Sequence, residues 1–233
     1  LQLDGSDFSK FFLSFGMTMP AYIDASNQYL QAILSGDRRR GLKIVKGLLQ
    51  HNIRLDDLYE HVIRKALYQV GILWENNRIT VAEEHLATSV SEAVMNELFS
   101  DIVASERKPL RVILGCAENE YHQIGIRMVS DIFEARGWDS LFLGAGIPVN
   151  ELIRYAKEAT PDLIALSVSI YFNIPVMETM LREIRKEFHT TPVLIGGQAF
   201  RHGGEELAWK FGNTTYIPDL YALETYIDQY ERN

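Results

Sequence analysis

The chain has 233 residues, of which 47% are hydrophobic, 23% charged and 11% aromatic. That ordinary globular profile sets aside collagen-like, low-complexity and wholly disordered readings. Twenty-three basic against 31 acidic residues give a net charge of −8, which argues against general affinity for nucleic-acid phosphates and leaves room only for a local basic patch. No apolar run approaches the roughly 18 residues needed to span a bilayer. The single cysteine, Cys116, forbids an intrachain disulfide and speaks against a structural zinc site.

Residues 1–19 (LQLDGSDFSKFFLSFGMTM) read as a lead-in segment rather than a targeting peptide, because no basic stretch followed by an apolar core opens them. Phe8, Phe11, Phe12 and Phe15 suit a short helix packed on the body or an interface. Leu1 stands where an initiator methionine would, which points to a processed chain or a piece of a longer protein. The expectation is a cytoplasmic protein with no membrane partner.

Residues 20–107 read as helix after helix. Pro20 suits a first helical turn, and Tyr22, Ile23, Tyr29, Ala32 and Ile33 follow at near-helical spacing until Ser35-Gly36-Asp37. Asp37 can cap a second helix with Leu42, Val45, Leu48 and Leu49 on one side. A third runs from about Leu55 to Trp74. After the polar turn Glu75-Asn76-Asn77-Arg78, Thr80-Val81-Ala82-Glu83 has the form of a capping box and opens a helix reaching about Ala104. Four helices with short connections predict an antiparallel bundle.

Residues 108–233 change rhythm after a charged hinge ending in Pro109. Apolar runs at Leu110–Cys116, Ser140–Leu143, Leu163–Ser169, Pro192–Ile195 and Thr214–Ile217 read as strands. Helices are expected at Gln123–Arg136, Val149–Glu158, Pro175–Phe188, near Gly204–Phe211 and from Asp219. The alternation predicts an α/β protein: an N-terminal four-helix bundle, then a doubly wound, flavodoxin-like domain on a five-stranded parallel sheet. Ligands of such sheets bind beyond the carboxyl ends of the strands, so the loops after Cys116, Leu143, Ser169 and Ile195 are where chemistry is sought.

The first of these loops reads Glu120-Tyr121-His122-Gln123-Ile124-Gly125. A carboxylate two residues before an imidazole can fix its tautomer and raise the basicity of its other nitrogen, as a metal ligand requires. Taken alone, a histidine before a helix is more often an N-terminal polar or general surface residue than a ligand. The next two loops add spacing. Forty-one residues separate Gly125 from Ser167-Val168-Ser169, and 26 separate Ser169 from Gly196-Gly197. At these separations the sequence resembles the cobalamin-binding domain family, whose pattern is D-x-H-x-x-G, then S-x-L, then G-G. The resemblance implies His122 as lower axial cobalt ligand in place of the cofactor's own dimethylbenzimidazole. It implies a slot for the displaced nucleotide tail beside Gly125, Ser167, Ser169, Gly196 and Gly197. Two positions depart from the pattern. Glu120 replaces aspartate, which moves the carboxylate by one methylene, and Ser169 replaces leucine, which makes the slot more polar. Glutamate at the first position is familiar in the light-responsive subset of the family.

The bundle carries Trp74, with Glu84-His85 ten and eleven positions later. This phrase is similar to the W…EH motif of light-sensing cobalamin proteins that regulate carotenoid genes. The likeness runs from about Thr18 to the C-terminus and excludes the helix-turn-helix domain that many of those regulators carry. It implies a helical cap whose Trp74, Glu84 and His85 surround a 5′-deoxyadenosyl upper ligand, the indole offering a flat face and the carboxylate accepting from ribose hydroxyls. Glu75 stands where light-sensing relatives place a histidine that binds cobalt after photolysis. His51, His61, His189 and His202 read as surface or packing residues, and Gly203-Gly204 as a loop.

The resemblance implies a non-enzymatic photoreceptor holding adenosylcobalamin, with transcription regulation as its setting. Its partners are the corrinoid, a homo-oligomer and a regulator or effector that supplies any DNA contact; this chain is not expected to bind DNA itself. The competing reading is a corrinoid carrier that shuttles methyl groups for a methyltransferase system, with methylcobalamin as its loaded form.

Overall fold

The computed structural model describes residues 17–232. The expected role of Phe8, Phe11, Phe12 and Phe15, and with it most of the 1–19 segment, lies outside the described residues. Internal contacts divide the chain into two units, one ending at Asp101 and the other beginning at Ile102. The Arg107/Lys108 division drawn from the sequence falls in the linker that follows.

The first unit contains α1 (Met19–Leu34), α2 (Arg38–Gln50), α3 (Leu55–Leu58), α4 (Arg64–Glu75) and α5, which spans Val81–Ile102. Its helix starts are written in local chemistry. Pro20 occupies the first turn of α1, where its missing N–H costs no hydrogen bond. Asp37 Oδ1 accepts from the Arg40 N–H at 3.0 Å. The capping box forms in both directions: the Glu83 N–H donates to Thr80 Oγ1 at 3.2 Å, and the Thr80 N–H donates to the Glu83 carboxylate at 2.7 Å. The third expected helix is continuous from Leu55 to Glu75 but contains a π-helical turn, Tyr59–Ile63, between α3 and α4. From α1, the Ser26 hydroxyl donates to the Val62 carbonyl of that turn at 3.1 Å. Tyr29, Ile33, Val45, Leu58, Val94 and Leu98 are fully buried between the helices. Ion pairs Arg38–Glu97 and Lys46–Asp101 tie α2 to α5 at their surface.

The second unit is built on β1 (Arg111–Cys116), β2 (Asp139–Gly144), β3 (Leu163–Ser167), β4 (Val193–Gly196) and β5 (Thr214–Ile217). All neighbours pair in parallel, in the order β2-β1-β3-β4-β5. That is the flavodoxin-like order, and it reverses between β1 and β3. Val112, Ile113, Leu114, Leu163 and Ile164 are fully buried, as expected of central strands covered on both faces. The helices are α6 (Ile124–Ala135), α7 (Val149–Ala159), α8 (Ile174–Glu187), α9 (Leu207–Lys210) and α10 (Leu220–Arg232). Two expectations need correction. β3 ends at Ser167 rather than Ser169, because the N–H groups of Ser169 and Ile170 turn to a side chain described below. The helix expected near Gly204–Phe211 is a single turn, preceded by Gly203 and Gly204 at φ +115° and +104°, which no helix continues through. Among the described residues no helix is long and apolar enough to cross a membrane.

The C-terminal helix is fastened by a polar cluster at the β2 edge. Glu231 accepts from Trp138 Nε1 at 2.8 Å and from Lys108 Nζ at 2.6 Å, and Arg136 reaches Glu224, Asp228 and Glu231 together. Trp138 itself is fully buried. Replacing Glu231 with alanine leaves the indole N–H without its acceptor and should lower stability by about 1–3 kcal/mol. A shifted urea midpoint with unchanged slope is the expected result; an unchanged midpoint would assign the docking of α10 to Leu220, Leu223 and Ile227 alone.

Candidate functional site

The loops that leave the sheet where the strand order reverses meet on one carboxylate. After β1, the Ala117 N–H donates to the Ser167 carbonyl at 2.8 Å and the Glu120 N–H closes a turn on Ala117 at 2.9 Å. Asn119 takes the left-handed conformation in that turn, at φ +66°. The Glu120 side chain is thereby drawn under the loop and is fully buried. Its Oε1 accepts from the His122 backbone N–H at 3.0 Å and lies 2.5 Å from His122 Nδ1. Its Oε2 accepts from the N–H groups of Ser169 and Ile170, both at 2.9 Å, and from Asn173 Nδ2 at 3.4 Å.

Burial by itself would push the Glu120 carboxyl upward. The bonds from the His122 imidazole and from the Ile170, His122 and Ser169 N–H groups outweigh it and hold the group down at about 2. The carboxylate is therefore charged at neutral pH, and it makes Nδ1 of His122 the protonated nitrogen, which assigns the lone pair to Nε2. The His122 side chain is 61% exposed. The longer reach of glutamate, a departure in the sequence pattern, is taken up by the turn without loss of the contact to histidine. Cys116, at the end of β1, is buried, and burial together with the Glu120 charge pushes its thiol up to about 12.

The other expected residues lie at the same end of the sheet. Ser167 is buried and sits in register between Cys116 and Gly196. Ser169 supplies its backbone N–H to the cluster. Gly125 stands in the first turn of α6, where an added Cβ would meet nothing within 4 Å, so there is open space beside it. Gly196 and Gly197 have an internal reason to be glycine. A Cβ on Gly196 would lie 2.8 Å from the Ile217 carbonyl oxygen, and one on Gly197, at φ +114°, only 2.1 Å from that of Val168. Ile170 and Asn173 are contributors that sequence reasoning missed. Ile170 acts through a backbone donor and carries no sequence signal, whereas Asn173, a polar residue directly before α8, offered one. Also missed were the exposed apolar side chains on the two loops that meet at Glu120: Tyr121 at 75%, Phe172 at 88%, and Ile170 and Tyr171.

Trp74, Glu84 and His85 belong to the helical unit, at the end of α4 and the start of α5. Trp74 is exposed and lines a pocket with Asn77, Arg78, Ile79, Thr80, Val81 and Glu83. Glu84 and His85 engage their own helix: Glu84 Oε1 accepts from the Thr88 hydroxyl at 2.9 Å, and His85 Nδ1 lies 2.9 Å from both the Val81 carbonyl and Glu84 Oε2. Among the described residues no group of three or more His, Cys, Asp or Glu side chains is placed to hold a metal by itself.

A doubly wound domain with a carboxylate-oriented imidazole at its switch point is a cofactor-binding architecture. Comparison with known proteins names the cofactor. The family description "B12 binding domain" matches residues 110–217, and a second of the same description matches residues 25–99. The chain belongs to the cobalamin-binding family, with both of its units covered, and its cofactor is cobalamin. Dimethylamine corrinoid protein 3 of Methanosarcina acetivorans is 22% identical over 73% of this chain and 81% of its own. The HTH-type transcriptional repressor CarH of Myxococcus xanthus is 30% identical over 61% of this chain and 48% of its own. In fold, the chain is similar to the solved structure of the Methanosarcina barkeri monomethylamine corrinoid protein, with a TM-score of 0.73 at 14% identity, covering 88% of this chain and 98% of that one.

Two predictions follow from the geometry. Because Glu120 is held below its ordinary value of 4.5, its contribution to stability is complete above that pH and is lost as pH falls toward about 2. Urea unfolding across this window should show a shallower pH slope for Glu120→Gln than for the parent; equal slopes would refute the assignment. Gly197→Ala should cost on the order of 3 kcal/mol or prevent folding, since backbone strain and a backbone clash coincide. A melting temperature equal to that of the parent would show that the β4 turn can relax.

Proposed function

We propose that this chain is the cobalamin-holding part of a light-responsive regulator, with His122 as lower axial ligand and adenosylcobalamin as the bound form. The observation that carries the reading is the fivefold hydrogen bonding of Glu120, which holds the His122 imidazole through Nδ1 at the switch point and leaves Nε2 as the nitrogen that would meet a metal. The surroundings fit a corrinoid. Ile170, Tyr171, Phe172 and Tyr121 offer apolar surface to a flat macrocycle, and the open space beside Gly125 leaves room for a nucleotide tail. Residues 20–107 serve as the cap and 108–233 as the cofactor domain, with Trp74, Glu84 and His85 contacting the upper axial group. Glu75 would be a poor donor to cobalt(III), and His85 would be the remaining nearby imidazole for that place if the cap moves.

When bound, adenosylcobalamin supplies a light-labile cobalt–carbon bond. The protein's part is to hold the lower imidazole fixed through Glu120 and to let cap contacts at Trp74, Glu84 and His85 differ between the dark and illuminated states. Only such a difference can shift assembly or a regulatory partner. The chain acts in this way by binding rather than by catalysis.

A second reading, a methyl-carrying corrinoid protein, is favoured by the extent to which dimethylamine corrinoid protein 3 is covered. One titration separates the two. In the dark, the parent should bind adenosylcobalamin with a histidine-ligated spectrum, and His122→Ala should bind at least roughly tenfold more weakly without it. Illumination should then change the spectrum and the oligomeric state. An unaltered spectrum in His122→Ala would remove the ligand assignment, and methyl transfer from bound methylcobalamin to a thiol would establish the carrier.

A further inference from the structure

We propose that the solvent face of α2 is a docking surface for an acidic helix of a protein partner, with Arg39 and Lys43 receiving its carboxylates. The chain as a whole carries a net charge of −8. Yet the stretch 38–54 contains Arg38, Arg39, Arg40, Lys43, Lys46 and Arg54 and no acidic residue. A basic run of this density on one helix marks a surface for a negatively charged partner. The inference does not rest on which upper ligand the corrinoid carries.

The two sides of α2 are sharply different. Val45 and Leu48 are buried, and Gly41 is packed so closely that an added Cβ would lie 3.4 Å from Val94 and 3.5 Å from Tyr29. On the opposite side Arg39, Lys43, Lys46 and Gln50 recur at i, i+4, i+7 and i+11, which forms a straight ridge along a helix. Gly47 borders that ridge, and a Cβ there would meet nothing within 4 Å. Glycine inside a helix costs stability relative to alanine, and at this position no neighbour occupies the place of a side chain. Its effect is to let a second backbone come close to α2.

The charges are also placed against the preference of the helix itself. Arg38, Arg39 and Arg40 fill its first turn, which holds no acidic residue, although the positive end of the dipole disfavours cations there. Four of the six cations are engaged within the unit: Arg38 with Glu97, Lys46 with Asp101, Arg54 with Asp56, and Arg40 with Gln31. Among the described residues Arg39 and Lys43 are exposed and have no hydrogen-bond or ion-pair partner. Two free cations one turn apart match carboxylates at i and i+4 of a facing helix. They match a nucleic acid poorly, because its backbone binding draws on about six to ten phosphate contacts. The net charge of −8 repels such a polyanion at longer range, and Glu97 and Asp101 flank the free pair.

The test uses the whole chain and a fluorescein-labelled, alanine-based helical peptide of about 20 residues with glutamate pairs at i and i+4, read by fluorescence anisotropy. Saturable binding that weakens with added salt is expected. It should fall roughly tenfold or more in Arg39→Glu/Lys43→Glu and by less in Arg39→Gln/Lys43→Gln. Lys65→Glu/Arg154→Glu makes the same change in net charge at exposed positions elsewhere and should leave the affinity within about twofold of the parent. Glutamate near the start of α2 agrees with the helix dipole, so the reversed variant should keep the parent's melting temperature. Absence of saturable binding, or equal loss in the two charge-reversed variants, overturns the proposal. Tighter binding of a DNA duplex of the same charge, with the same dependence on Arg39 and Lys43, would also overturn it and assign the face to nucleic acid.

Discussion

The second unit is organised around a buried negative charge. An ionised carboxylate without water is tolerated only where hydrogen-bond donors replace its solvation, and Glu120 obtains five from three places: the loop after β1, the loop after β3, and the residue that opens α8. Each donor limits where its segment can lie. The crevice that a doubly wound sheet opens at its switch point is thereby closed at its floor by one side chain, and the imidazole that stands over the crevice inherits its direction from that closure. Burial, with the same charge adding to it, keeps the neighbouring Cys116 thiol protonated, so the thiol is a poor metal donor beside the imidazole.

Much of this was legible because it is carried by side-chain identity at fixed spacing. Thr80 and Glu83 announce a helix start through their own hydrogen bonds, and the apolar runs of β1 and β3 announce strands covered on both faces. Glu120-x-His122 announces an oriented imidazole. What could not be read is carried by the backbone. Ile170 contributes an N–H that any residue but proline has, and the early end of β3 follows from it. Gly196 and Gly197 were legible as places of close approach, but the closest partners turn out to be the chain's own carbonyls at Ile217 and Val168. The π turn has no residue signature either, since Tyr59–Ile63 is periodic enough to pass for ordinary helix.

The two units show different ways of making a site stiff. In the sheet unit, stiffness comes from a charge whose donors cannot be given up without exposing it. In the helical unit it comes from capping, where the N–H groups of Asn76, Asn77, Arg78, Thr80 and Glu83 at the α4–α5 turn are taken up by partners within the turn and its two helices.

The π turn between α3 and α4 sets the heading of everything after it. A π turn holds one residue more than the α-helix it interrupts, and each residue of an α-helix advances the side-chain direction by about 100°. Relative to an uninterrupted helix begun at Leu55, Trp74 and the turn beyond it are rotated by about that angle. The extra residue thus acts as an angular offset, selecting which face of the bundle carries the indole while leaving the buried stripe of α3 in place.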